Sequence, residues 1–532
     1  MKKTIQNIST SPTYLIVVYF FVTAIIGGFN YYSPVPVQDY WDQSILFFHD
    51  INNGNYSAWF DFHNEHRIAI VRVFYFIIHF FFPDHEYFLT LLNYLFFMTL
   101  YLFLYCVGKI NNKIFSGNHP DLKKLYFVIF FSMAFFWSQR LNYFFEVQSQ
   151  VILSFLLPLV GFYYLNKYYK SKLLSNFILC IFFGIISSYT IISGVIVLPI
   201  MTFFVILMEK GLTKNLLILL FFSILSSLVY FSGYDNQNHS SILNNLYIYD
   251  LSIIDFYLSV IGSPISFLFG KSYFAQLVAK FFGLFVLVVF IRKIFVIFKT
   301  NTLTEINFTI FLFSIYLFST LFLTSLGRVD FGLQEAYSSR YTTCSLLLYC
   351  SLLSFFSEDI CSIYKKKKKI ISVIVYIVIL LMAIYQTTAF KRFDEKFNKR
   401  NIAILALHLK IDDAEYLEKL YPDTERLKDI YEKARIDNIS ISRKFNKLIK
   451  TNIFNEDYQL LSLEINSSKF FSVDDKYFRF TTKVFADNGF YNILDESKNI
   501  IGYGFVSENK KFMGYINNNK FDKDVFIGKI EY

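Results

Sequence analysis

The sequence predicts an α-helical polytopic membrane protein with a soluble α+β domain at its C-terminal end. Three observations carry that class. Of 532 residues, 55% are hydrophobic and 21% aromatic, and mean hydropathy is +0.41. Runs such as LLILLFFSILSSLVYF and IISVIVYIVILLMAIY approach the roughly 20 residues that span a bilayer. After residue 389 the chain turns polar and its pattern shortens to strands.

The elements follow in order. MKK followed by YLIVVYFFVTAIIGGF has the outline of a signal peptide. The apolar run is long, no A-x-A site follows and more spans come after, so it is read as an uncleaved first helix. Spans are placed at 13–30, 86–108, 123–138, 150–166, 173–187, 189–208, 214–232, 273–291, 306–326, 341–357 and 369–388, about eleven. With a cytoplasmic N-terminus, the basic loops alternate as the positive-inside rule requires. Lys109, Lys113, Lys123 and Lys124 fill one such loop, Lys167, Lys170 and Lys172 the next. Lys210 and Lys214, then Arg292, Lys293 and Lys299, then the run from Lys365 to Lys369 fill the rest.

This alternation holds only if 67–83 does not cross. RIAIVRVFYFIIHFFFP is therefore read as a helix lying along the outer interface and ended by Pro83; a true span is the alternative. The outer segments become 31–85, 139–149, 233–272, 327–340 and everything after 389. The net charge of +10 sits in the short loops, so membrane orientation accounts for it better than nucleic acid does. Few ionisable residues fall in the spans, with Lys280 near a predicted end, which argues for chemistry at one face over a path through the middle. The five cysteines show no C-x-x-C spacing, and no zinc site or disulfide framework is expected.

The domain division follows: 1–388 transmembrane, 389–532 an extracytoplasmic domain. Residues 400–436 have helical period, broken at Pro422. From about 457 the segments YFRFTTKVF, IIGYGFVS, FMGYIN and VFIGKI read as strands between Asn, Asp, Gly and Lys turns.

Chemistry-bearing residues crowd the outer segments. PVPVQDYWDQS places Asp39 and Asp42 just after the first span. A carboxylate held there can act as general base toward a sugar hydroxyl; the plain reading is two solvated loop acids. HNEHRI is denser. His66 and Arg67 can grip phosphate oxygens, Glu65 can orient one of them, and His63 supports them. The plain reading here is an interfacial helix start with snorkelling charges. His63 and His66 also have an i, i+3 spacing that suits a metal, but no third or fourth ligand is evident, so no cofactor is called for and a divalent ion is not indicated. WSQRLNYFFEVQSQ adds Glu146, Gln148 and Gln150, SSYTIISG adds further polar groups, and YFSGYDNQNHSS adds Tyr234, Asp235 and His239. LGRVDFGLQEAYSSRYTT carries Arg328 and Arg340 at two span exits, with Asp330 and Glu335 between them and Tyr341 beside. Two arginines at the headgroup level suit a phosphate or diphosphate; the plain reading is a self-paired connecting loop.

The succession YWDQ, HNEHRI, FFEVQSQ, SGVIVLPI and LGRVDFGLQEAYSSRY, over roughly residues 13 to 440, resembles a group of bacterial GT-C-like glycosyltransferases. The resemblance implies a first outer loop with interfacial helices and a sugar taken from a polyprenyl-phosphate donor. It implies Asp42, with Asp39 second, as the residue that activates the acceptor. Arg67, Arg328 and Arg340, assisted by His66, would hold the donor phosphate. The Asp-Glu pair of some members is absent, as is the W-W-D motif of oligosaccharyltransferases, so protein N-glycosylation is not expected. The expected activity is inverting transfer of a hexose to a lipid-linked or surface polysaccharide such as O-antigen, on the periplasmic face of a bacterial inner membrane. The partners are then the donor, the glycan acceptor and membrane lipid, without nucleic acid. A polysaccharide polymerase or ligase and a lipid-linked glycan flippase are the other readings.

Overall fold

The computed structural model describes residues 12–83, 87–110, 112–117, 119–209, 211–234, 250–270, 272–300, 307–391, 394–443, 445, 461–463, 471–473, 476–484, 486–495, 500–517 and 525–529. The chain forms two compact units. A helical unit takes Met1–Asn30, Phe60–Phe74 and Phe88–Lys391. The other unit takes Tyr31–Trp59, Tyr75–Tyr87 and Arg392–Tyr532, so most of the first loop belongs with the C-terminal chain.

The longer helices are α1 (Pro12–Tyr31), α2 (Ala69–Phe81), α3 (Tyr87–Gly108), α4 (Pro120–Ala134), α5 (Ser149–Ser171), α6 (Leu174–Ser187) and α7 (Val197–Glu209). They continue with α8 (Lys214–Phe231), α9 (Asp250–Leu268), α10 (Tyr273–Thr300), α11 (Phe308–Arg328), α12 (Thr342–Phe355) and α13 (Ser357–Gln386). Among the described residues, nine helices are long and apolar enough to cross a membrane. The protein is thus a multi-pass membrane protein. The apolar helices α2, α6 and α12 are shorter, at 13, 14 and 14 residues. Fourteen residues reach only about 21 Å at 1.5 Å each, against a hydrocarbon core of about 30 Å. Two of the expected spans, 173–187 and 341–357, are therefore short helices, as is the α4 region expected at 123–138. The helix expected at 67–83 is α2.

A further expectation is corrected. Residues 233–272, read as an outer loop, contain α9, which has the length and hydropathy of a span. Its signal is diluted by Asp255, Ser259, Ser263 and Pro264. Those small and polar residues serve close packing against α10. A Cβ at Gly262 would lie 1.8 Å from the Ala279 carbonyl oxygen, and one at Gly283 would lie 2.0 Å from that of Leu258. Only glycine allows backbones this near. Asp255 pairs with Lys280 at 2.6 Å, which accounts for the lysine near that span's end. Counting α9 as a crossing shifts the parity of every later loop. The lysine alternation then no longer follows from the span count. Elsewhere in the unit polar groups tie helices together: the buried Gln386 side chain donates to Thr23 Oγ1 at 2.9 Å and Phe135 O at 3.1 Å, and accepts from the Trp137 N–H at 2.9 Å.

In the second unit α14 (Asp394–Leu409) and α15 (Thr424–Asp437) flank Pro422, which breaks the helical run as expected. Asp423 caps α15 by accepting from the Arg426 N–H at 3.0 Å. Seven described strands form one antiparallel sheet: β3 (Leu461–Leu463), β4 (Phe471–Ser472), β5 (Tyr477–Lys483), β6 (Gly489–Leu494), β7 (Ile500–Val506), β8 (Lys511–Asn517) and β9 (Val525–Lys529). Their order is β3-β9-β6-β7-β8-β5-β4, with the shortest strands at the edges. Phe480, Ile493, Ile501, Phe512, Ile516 and Ile527 build the core. Helical and strand parts are pinned at Asp413. Its Oδ2 accepts from Arg479 on β5 at 2.6 Å and from the Tyr515 hydroxyl on β8 at 2.7 Å.

Candidate functional site

HNEHRI folds as a tight hairpin, β1 (Phe62–His63) against β2 (His66–Arg67), with His63 paired to His66 in register. The spacing exists because Asn64 takes φ 51°, a left-handed conformation that Asn tolerates in a two-residue turn. The turn presents Glu65. Its Oε1 lies 2.7 Å from Arg328 Nη2, at the end of α11, and 3.7 Å from His66 Nε2. The side chains of Glu65 and Arg328 are 19% and 24% exposed, so the pair is only partly wetted. His66 Nδ1 accepts the Ile192 backbone N–H at 3.3 Å. A backbone N–H can only donate, so the neutral ring carries its proton on Nε2, toward Glu65. Burial lowers the His66 pKa to about 4, Arg328 and His63 push the same way, and Glu65 opposes them.

The hairpin is clamped from below. The buried Tyr230 hydroxyl donates to the Glu65 carbonyl oxygen at 2.9 Å. Arg67 was expected at a phosphate; its guanidinium is instead spent on the loop. It donates to Tyr230 O at 2.8 Å, to Phe60 O at 2.6 Å and to Ser232 O, and it lies over the Phe62 ring at 4.1 Å. Tyr234 packs edge-on against Phe62 with centroids 5.1 Å apart.

The second dense stretch joins this cluster. Arg340 pairs with Glu335 at 3.3 Å, and its side chain is 45% exposed. Burial raises the Tyr341 pKa above its ordinary value, and Arg340, Arg328, Glu335 and Glu65 all act on it electrostatically. Glu65, His66, Arg328, Glu335, Arg340 and Tyr341, all expected residues, thus gather about one neighbourhood. Asn142 of the Trp137–Gln150 stretch donates to the Arg340 carbonyl oxygen at 2.9 Å. Glu146 and the buried Gln148 sit in a short 3-10 turn before α5. Asp235 and His239 lie outside the described residues. Among the described residues, no group of three or more His, Cys, Asp or Glu side chains is placed to hold a metal ion.

An apolar groove of about 790 Å³ runs along the same helix that ends in Arg328. Phe311, Ile315, Phe318 and Phe322 supply the α11 wall at helical spacing, Ile200 and Phe203 of α7 and Ile294 of α10 face them. From Phe311 to Leu323 the wall is about 18 Å long. The 3-10 turn Ile192–Ile196 connects both features: Ile192 holds His66, and Ile196 lines the groove.

Asp42 and Asp39 lie in the other unit. Asp42 sits in a π-helical turn, Trp41–Leu46. Its Oδ2 accepts from the Tyr421 hydroxyl at 2.6 Å, and its Oδ1 accepts from Arg426 Nε and Nη2 at 2.9 and 2.6 Å. Burial, then Asp42, raises the Tyr421 pKa. Gln38 N–H donates to Leu420 O at 2.6 Å, Trp41 stacks edge-on against Tyr431, and His49 Nδ1 lies 2.8 Å from Asp437. Asp39 N-terminally frames this turn, its carbonyl oxygen accepting from Gln43 N–H at 2.8 Å. Tyr421, Arg426, Tyr230 and Ile192 had no signal as site residues in the sequence.

Comparison with protein-family models, with curated proteins and with solved structures finds no match. Fold and geometry define a multi-pass membrane protein with a small antiparallel sheet domain and a charged cluster built on the Glu65 hairpin.

Proposed function

We propose that the protein is a membrane glycosyltransferase that moves a sugar, a hexose in the simplest case, from a polyprenyl-phosphate donor to a glycan acceptor. The observation that supports this best is the apolar groove along α11, whose lining stops at Leu323, with Arg328 about 7.5 Å further along the same helix. An apolar groove with a guanidinium just over a turn beyond it on one helix suits a long chain ending in phosphate. In the reaction the acceptor hydroxyl oxygen bonds to the anomeric carbon from the face opposite the phosphate. The bond from that carbon to the phosphate oxygen breaks with its electron pair, giving inversion. Arg328 and Arg340 stabilise the charge growing on the phosphate. As Arg328 turns to the phosphate, Glu65 loses its counter-charge and becomes more basic, and it takes the acceptor proton. Asp42 has both oxygens engaged by Tyr421 and Arg426, which favours a latch over a proton acceptor.

The test is the surface glycan profile, by gel mobility and mass, in hosts carrying wild type, Arg328→Gln or Asp42→Asn at equal membrane levels. Wild type should add a hexose-sized mass that Arg328→Gln abolishes and Asp42→Asn keeps. Loss of long chains without a mass shift points to a polymerase or ligase. A wild-type profile equal to that of the empty host across several acceptor backgrounds sinks the transferase.

A further inference from the structure

A second charged region of the helical unit has no part in the proposed reaction. Helix α13 carries Lys365, Lys366, Lys367, Lys368 and Lys369 in succession, all exposed. The helix kinks within this run: Lys367 leaves helical geometry at φ −133°, ψ 40°. Lys365 and Lys369 are i, i+4, where like charges repel, so a break between them relieves the helix. Only apolar residues follow in α13 through Tyr385, apart from Ser372, so the lysines stand where that helix turns from polar to membrane-facing.

Other basic side chains converge there. Lys368 pairs with Asp121 at 2.7 Å, beside Lys123 and Lys124. Lys113 pairs with Glu358 at 3.6 Å and Lys293 with Asp359 at 2.6 Å, both at the start of α13. Three acids thus meet three of the lysines, while Lys123, Lys124 and four of the α13 run add positive charge beyond those pairs. A cluster of lysines bordering an apolar helix attracts anionic headgroups at a charged membrane surface.

We propose that this lysine collar is a binding site for anionic phospholipid headgroups, the phosphates lying among Lys365, Lys366, Lys367 and Lys369. Lysine suits this role as a mobile point charge that meets a phosphate without fixed geometry.

The experiment uses the full chain purified in a neutral detergent. Phosphatidylglycerol or phosphatidylcholine is added in mixed micelles, and bound lipid is counted by native mass spectrometry. Wild type should retain phosphatidylglycerol at least tenfold over phosphatidylcholine. Lys365→Gln, Lys366→Gln, Lys367→Gln and Lys369→Gln combined, which spares the Lys368–Asp121 pair, should remove most of that preference. Competition by millimolar inorganic phosphate as effective as that by the lipid would reassign the collar to free phosphate and overturn the lipid reading. Should the fourfold variant fail to fold, wild type alone decides. Its preference must weaken severalfold as salt rises from about 0.05 to about 0.5 M, where screening becomes short-ranged. A preference unchanged by salt, or by the four substitutions in a folded variant, refutes the proposal.

Discussion

Asp42 and Glu65 both follow the first membrane helix, and their surroundings differ. Asp42 is held by three hydrogen bonds from Tyr421 and Arg426, within the unit that contains the C-terminal chain. Glu65 sits on a two-residue turn, shares one oxygen between Arg328 and His66, and lies in the unit that holds the apolar groove. A carboxylate whose lone pairs are filled by side chains of its own unit stabilises that unit. An arginine paired with a carboxylate in a partly wetted site can exchange that carboxylate for a phosphate. The difference teaches that position near a membrane helix does not fix a carboxylate's surroundings: Asp42 is held by Tyr421 and Arg426, while Glu65 meets Arg328 and His66 at a hairpin turn.

Breaking the Glu65 side should have the largest effect. Arg328→Gln should lower sugar transfer by about 10²- to 10³-fold, the usual cost of losing one charge-stabilising donor, measured as initial rates in membranes with a polyprenyl-phosphate sugar. Filling the groove comes next. Ile315→Trp should raise the donor KM about tenfold, since overpacking costs roughly 1–3 kcal/mol, and should leave a soluble anomeric-phosphate donor unaffected. Equal losses with both donors would detach the groove from the reaction.

On the Asp42 side the expected change is in stability. Asp42→Asn should destabilise the C-terminal unit by about 1–2 kcal/mol, read by denaturant unfolding, with transfer per folded molecule held within about threefold. Arg426 is half exposed, and water there limits the loss. A hundredfold drop in transfer with unchanged stability would move the proton acceptor back to Asp42. The smallest effect is on pH. His66 has a folded pKa near 4, below its unfolded value of about 6.5. Above about 6.5 both states are neutral and nothing changes. As pH falls from about 6.5 to about 4, the unfolded chain binds the proton first and the helical unit loses stability. His66→Gln should flatten that window in thermal unfolding.

Much of this was legible in the sequence, for local reasons. Long apolar runs need no partner to be recognised, and the strands β5, β7, β8 and β9 stand out between turn residues. β6, at Gly489–Leu494, escaped because its buried residues, Phe490, Tyr491, Ile493 and Leu494, do not alternate strictly, and the strand bulges between Ile493 and Leu494. α9 escaped because close packing against α10 selects Gly and Ser, which resemble a loop. In the candidate site, the stretches HNEHRI and LGRVDFGLQEAYSSRY stand out by their charge density, and the fold brings residues of both together at Tyr341 and Glu65. That Arg67 would turn inward onto three carbonyls could not be read, because its acceptors at Tyr230 and Ser232 are backbone atoms that any residue provides. Nor could the Asp42 clamp, whose partners lie 379 and 384 residues away.

That separation has a consequence in time. A ribosome adding about 5–20 residues per second needs roughly 20–75 s to go from Asp42 to Tyr421. Throughout that interval the segment around Trp41 has emerged while the side chains that fasten it are still unmade. A nascent chain halted before Tyr421 should therefore leave this segment open to protease, and completion of the α15 region should close it.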